Sequence, residues 1–235
     1  MFGGQAVSQL SRTQQMSFLQ RVYMWMAGGL VLAGVGSALS IQTGVAEAML
    51  RSGMMGHLLI LGLWWGVAYY AQKVQFQPTV NTIAFAVYSL LTGLVMSDLI
   101  LIALIIGAQT QGSAGHYIYQ AFGLTAVAFG GLSYYATKTD RDFSFMGGII
   151  TVGIIAAIGL SLMNFFIESS VLGMAISFGV VLLMAGSILW NTQRILQTSP
   201  PNGHIGAALV LFTDFAVMFM HILSLLLQLA SGGRD

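Results

Sequence analysis

No cysteine occurs anywhere in the sequence. That excludes disulfides, thiolate metal sites and a cysteine nucleophile, and it leaves the redox compartment open. Charge is almost as scarce. Only 6% of the 235 residues are Asp, Glu, Lys or Arg, against roughly 25% in a soluble domain. The shortage leaves little room for any soluble domain. The eight basic residues are scattered, and the formal net charge is +1, so there is no basic patch for nucleic acid. The three prolines fall in two places, Pro78 and Pro200-Pro201, both of which read as loops. Alternating ten-residue strands, the mark of a transmembrane β-barrel, are absent. What fills the chain is apolar: 57% of it is hydrophobic, with 29 glycines. Glycine at this level suits helices that approach closely in lipid. The expectation is a polytopic, all-α membrane protein.

Residues 1–20 are polar, with Gln, Ser and Arg12, and read as a short cytoplasmic N-terminal arm. Residues 21–235 read as one seven-helix transmembrane domain. Its first helix starts after Arg21 and runs to about Ile41, with Tyr23 and Trp25 at its first interface. Ala46-Glu47-Ala48 is a faint cleavage-like site, but the run before it is too long for the usual signal-peptide core, so the helix is expected to be retained. The second lies between Arg51 and Lys73, and the third runs from about Val80 to Ser97. Residues 99–108 are apolar but too few to span. They read either as an extension of the third helix or as a half-inserted interfacial segment. The fourth helix is placed at about His116 to Ala136, the fifth at about 146–166 and the sixth at about 171–190. The seventh follows Pro200-Pro201-Asn202-Gly203.

The basic residues orient this bundle. With the N-terminus inside, Arg12, Arg21, Lys73, Lys138, Arg141 and Arg194 are cytoplasmic, and only Arg51 and Arg234 are outside. That asymmetry predicts seven crossings, N-in and C-out. Trp25, Tyr69, Tyr70, Tyr134, Tyr135 and Trp190 then form a cytoplasmic aromatic belt, which the charge count did not use.

The last apolar run, Gly206 to Ala230, contains one carboxylate, Asp214. An ionisable group at such a depth is costly, and it marks a site facing the protein interior or a water cavity. Asp214, His221, Ser224 and Gln228 stand at i, i+7, i+10 and i+14, which puts them on one helix face. The functional reading of Asp214 is a titrating group that gates, binds a cation or relays a proton. The plainer one is a fixed hydrogen bond between helices. Asn191 closes the sixth helix and shares a face with Ser187, Ser177 and Gly173. That face suits packing against the last helix, and Asn191 alone reads as a helix-end cap. His221 extends the Asp214 stripe; with no second His nearby in sequence, a transition-metal site is not expected. Asp140, Arg141 and Asp142 read as a solvated loop, with Asp142 placed to stabilise the start of the fifth helix. Asp98 and Glu168 lie at the outer ends, where they read as low-affinity cation contacts or, more plainly, as solvated residues.

Enzyme readings fare badly, and no catalytic residue is expected. Gly130-Gly131-Leu132-Ser133-Tyr134 is not the elbow of a serine intramembrane protease. An aspartyl one needs two membrane Asp residues, and only Asp214 is well inside. A retinal protein needs a lysine in the last helix, but Lys73 and Lys138 are the only lysines.

Several stretches together resemble the Bax inhibitor family in its bacterial branch. They are Tyr135-Ala136-Thr137-Lys138 through Asp142-Phe143-Ser144-Phe145-Met146-Gly147-Gly148, Asn191-Thr192-Gln193-Arg194, and Leu211-Phe212-Thr213-Asp214-Phe215. Tyr88-Ser89-Leu90-Leu91-Thr92-Gly93-Leu94 fits as well. The resemblance implies a seven-helix bundle with the C-terminal helix central, in a bacterial inner membrane. It implies a pH-sensitive calcium leak, with calcium or another cation as a transient partner and no resident cofactor. It also offers a non-conducting alternative, a modulator of a membrane AAA+ protease or stress complex, with residues 1–20 as the contact. The family commonly has an Asp pair, one at the end of the sixth helix and one in the seventh. Asp214 matches the second, and Asn191 stands at the first. Asn cannot titrate, so paired proton sharing is in doubt. Lys73 is placed at the family's basic partner near the end of the second helix, and Lys138 and Asp142 lie in the family's motif loop.

Overall fold

The computed structural model describes residues 6–232. Among these residues every regular element is helical: a single 3-10 turn, Val7–Gln9, and eight α-helices. They are α1 (Arg12–Gln42), α2 (Val45–Arg51), α3 (Gly53–Lys73), α4 (Val80–Gln111), α5 (His116–Lys138), α6 (Met146–Ile167), α7 (Ser170–Thr198) and α8 (His204–Ser231). Six of them, α1, α3, α4, α6, α7 and α8, are long and apolar enough to cross a membrane. At 23 residues α5 has the length, but its tyrosines and polar residues dilute its hydropathy. The protein is therefore an all-α, multi-pass membrane protein.

Two boundaries differ from the sequence expectation, and one left open is decided. The first helix begins at Arg12 rather than after Arg21. Ser11 caps it: its Oγ accepts from Gln14 N–H, and the Gln14 side chain accepts from Ser11 N–H at 3.1 Å. This reciprocal box starts a helix without needing apolar residues, so hydropathy passed over it. Residues 99–108 are simply the continuation of α4, which removes the half-inserted alternative. α7 runs on to Thr198, past the expected end at 190. A seven-residue helix, α2, also fills what had read as a loop. Residues 1–5 of the arm, and Arg234, fall outside the described residues.

The helices divide into two compact units, with α4, α7 and α8 each giving a segment to both. The first unit holds residues 1–98 and 191–213. Its core is aromatic: Phe85, Tyr88 and Phe212 are fully buried. Phe212 meets the edges of Phe85 and Tyr88, each at 5.8 Å between ring centres, and Trp64 stacks on Tyr88 at 5.6 Å. Two polar pairs are set into this aromatic cluster. Trp64 Nε1–H donates to Thr92 Oγ1 at 2.9 Å, and Tyr88 Oη lies 2.9 Å from Thr213 Oγ1. α1 lies directly on α4 because Gly36 abuts the Leu90 carbonyl and Gly93 abuts the Ala33 carbonyl. The arm is tied down here too. Val7 N–H donates to Ser199 O at 2.9 Å and Ser8 Oγ–H to Gln197 O at 3.1 Å, with Val7 fully buried.

The second unit holds residues 99–190 and 214 onward. Phe215 of α8 sits between Phe122 and Phe129 of α5, at 5.6 and 5.7 Å between centres. Gly153 of α6 admits the Leu183 side chain of α7. Of the six candidate spans, α8 has the most buried apolar window, 50%, against 6% for α6. The last helix is thus the least exposed one, as a helix carrying a carboxylate requires.

Candidate functional site

The site is built where α7 and α8 run antiparallel in the second unit. α8 brings Asp214, His221, Ser224 and Gln228 onto one face, and α7 brings Ser187, Ser177 and Gly173. Asp214 is 6% exposed. Its Oδ1 accepts a hydrogen bond from Ser187 Oγ–H at 2.8 Å. Ten residues back on α7 and ten forward on α8, Ser177 Oγ and Ser224 Oγ are 3.5 Å apart. Four residues further in each direction, Gly173 faces Gln228, and a methyl group there would sit 3.3 Å from Gln228 Oε1. The three pairs keep a single register, so the same two helix faces meet at each of them.

His221 belongs to the second cluster. Its Nδ1 is 3.4 Å from Ser177 Oγ. Gln228 Nε2 donates to Ser224 Oγ at 3.0 Å and to Ser224 O at 3.2 Å. Asn164, which closes α6, comes within the same reach of Gly173. Its Oδ1 accepts from Ser169 N–H at 3.2 Å across the turn into α7. Nothing in the sequence spacing pointed to Asn164, because it reaches the stripe from a third helix. Between the clusters the stripe is apolar: Val180 and Met184 on α7 and Met218 on α8 are buried. Among the described residues no group of three or more His, Asp and Glu side chains is arranged to hold a metal ion. The groups around Asp214 and His221 are hydroxyls, amides and one imidazole; the oxygens are of the kind a hard cation takes, and the imidazole is not.

The other predicted residues take different places. Asn191 is buried, 6% exposed, one turn past Ser187 on α7. It is not a helix-end cap, since two further turns of α7 follow it. Asn191 belongs to the first unit, as does Lys73, which ends α3 with an exposed side chain. Lys138 ends α5, with its Nζ 5.8 Å from the centre of the Tyr134 ring. Asp142 lies in the turn that leads into α6. Its Oδ1 accepts from Ser144 N–H at 2.8 Å and from Ser144 Oγ–H, a turn closed before α6 begins at Met146. Those two donors, the hydroxyl first, pull the Asp142 carboxyl below the usual carboxylate range. Glu168 terminates α6 in a left-handed conformation, φ 53°. Asp98, expected to be solvated, is instead paired with His57 at 2.9 Å. Sequence reading missed this pair because its members lie 41 residues apart.

The final helix thus carries a buried acid that accepts from a serine of the preceding helix. The family model described as "Inhibitor of apoptosis-promoting Bax1" matches residues 15–231. The chain belongs to the Bax inhibitor family. Bacterial relatives within it span nearly all of the chain. An uncharacterized protein of Deinococcus radiodurans is 31% identical, covering 94% of this chain and 96% of its own. One from Campylobacter jejuni is 29% identical, covering 92% and 90%. One from Rickettsia prowazekii is 28% identical, covering 89% and 88%. The family match takes in Lys73, Lys138, Asp142, Asn191, Asp214 and His221.

Proposed function

We propose that this protein is a non-enzymatic, pH-sensitive cation leak of the bacterial inner membrane, with calcium as the ion and no resident cofactor. In this reading seven helices cross the bilayer, N-in and C-out, with α5 counted as the seventh crossing. The cation passes along the α7–α8 stripe, with Asp214 near its cytoplasmic constriction. One observation carries the proposal: Asp214 is a buried carboxylate at the heart of the most buried span, hydrogen-bonded to Ser187 and continued by a second polar cluster around His221. A carboxylate kept at that depth for stability alone would be an expensive choice. Oxygen donors suit a hard cation.

Calcium entry into liposomes carrying the purified protein tests this. Asp214→Asn should remove most of the flux; flux equal to wild type at every pH would rule the pathway out. Asn191→Asp, which restores the acid pair the family commonly carries, should add a second step to the pH profile, as coupled acids titrate in two steps. An unchanged profile would mean that the position does not take part in proton sensing.

The non-conducting alternative, a modulator of a membrane AAA+ protease, assigned partner contact to residues 1–20. Val7 and Ser8 bond the end of α7, while Gln9 and Gln14 are exposed. Co-purification with and without residues 1–20 separates this reading from transport: loss of a partner with flux intact would support it.

A further inference from the structure

The His57–Asp98 pair lies outside the α7–α8 stripe and is not explained by it. His57 Nε2 is 2.9 Å from Asp98 Oδ2, and His57 Nδ1 is 2.8 Å from the Gly53 carbonyl oxygen. A carbonyl oxygen can only accept, and so can an ionised carboxylate. With Asp98 ionised, both ring nitrogens donate, and only the imidazolium has two N–H groups. The geometry points to a charged latch: we propose that protonated His57 clamps the first turn of α3 to Asp98 of α4, and that the clamp is released when His57 loses its proton.

The consequences of that loss follow from the contacts. Neutral imidazole keeps one N–H, so one of the two acceptors goes without the ring as its donor. If it is Asp98, a carboxylate only 16% exposed loses the cation that faced it, which is costly. If it is Gly53, the ring loses its anchor one turn back on its own helix. Few other charges lie on the elements of this unit. Glu47 and Arg51, on α2, pair with each other at 3.8 Å and are both largely exposed. α1 has no charged residue beyond Arg21, and α3 has none between Gly53 and Lys73 apart from His57 itself. α3 is also poorly held elsewhere. Only 11% of its apolar window is buried, and its firmest other tie is Trp64 to Thr92. The chain turns into it through Gly53 at φ 61°, a conformation glycine adopts without strain.

The latch does not depend on ion passage, and its test reads position rather than flux. Because the chain has no cysteine, spin labels can be placed at Leu59→Cys on α3 and Val35→Cys on α1, both exposed positions of the same unit. The inter-label distance distribution is measured in liposomes at about pH 5.5 and about pH 8.5, on either side of the ordinary histidine pKa. The expected result is one narrow distance at the lower pH and a broader or longer one at the higher. His57→Gln should abolish the pH response, and His57→Lys should hold the low-pH distance at both values, since lysine keeps its charge. A pH-dependent shift that survives in His57→Gln, or no shift in the wild-type background, would overturn the latch.

Discussion

Asp214 has its meaning only through the residues that meet it. Its position in an apolar run was readable directly, and the stripe at seven, ten and fourteen residues onward named its companions. The partner face on α7 was readable as well, because Ser187, Ser177 and Gly173 repeat at helical spacing. What spacing cannot give is which hydroxyl donates to which oxygen, or that Asn164 joins from α6. Asn191 was misassigned because it was judged against a helix boundary that hydropathy had set too early. Asp142 offers a test at this scale. Its folded-state pKa lies below the ordinary value, so the turn contributes stability above that ordinary value and loses it as pH falls through the folded pKa. Ser144→Ala should raise the Asp142 midpoint towards the ordinary value in a carbon-detected NMR titration. An unmoved midpoint would mean that Ser144 does not hold the carboxylate.

Helices obey two different rules along this chain. Where a run is apolar, length and hydropathy place it, and α3, α6 and α8 were found within a few residues. Where a helix continues through polar sequence, as at Arg12 and from Asn191 to Thr198, only capping and packing keep it going, and hydropathy is silent. Glycine follows a similar division. Gly93 and Gly36 let α1 and α4 touch backbone to backbone, while Gly62 and Gly66 of α3 have nothing within 4 Å of where a methyl group would sit. Gly93→Ala should therefore force the two helices apart and cost about 1–3 kcal/mol, the usual penalty of overpacking. Gly62→Ala should be neutral or slightly stabilising, since alanine is the better helix former. Thermal unfolding in detergent separates them: a clear drop in Tm for the first and none for the second. Equal Tm values would contradict the close α1–α4 contact.

At the scale of the whole chain, composition alone set the class, since so few charges cannot surround a soluble fold. The number of crossings is a finer matter, because α5 is long enough but less apolar than the other six. Seven crossings put the two ends of the chain on opposite sides, and six put them on the same side. Single cysteines at Ser8 and Gly232 decide this in an otherwise cysteine-free chain. In intact cells a membrane-impermeant maleimide should label Gly232→Cys and spare Ser8→Cys, as the basic-residue asymmetry requires. Labelling of both, or of neither, would leave α5 outside the count of crossings.

Whether cations cross beside Asp214 is the question on which the rest turns. The most direct measurement is calcium flux in one liposome preparation series, with wild type, Ser187→Ala and Asp214→Asn compared at matched protein density and at several pH values. A cation path along the stripe predicts wild type fastest, Ser187→Ala altered in its pH response because the serine donates to the carboxylate, and Asp214→Asn close to protein-free liposomes. Wild-type flux in Asp214→Asn at every pH would contradict it.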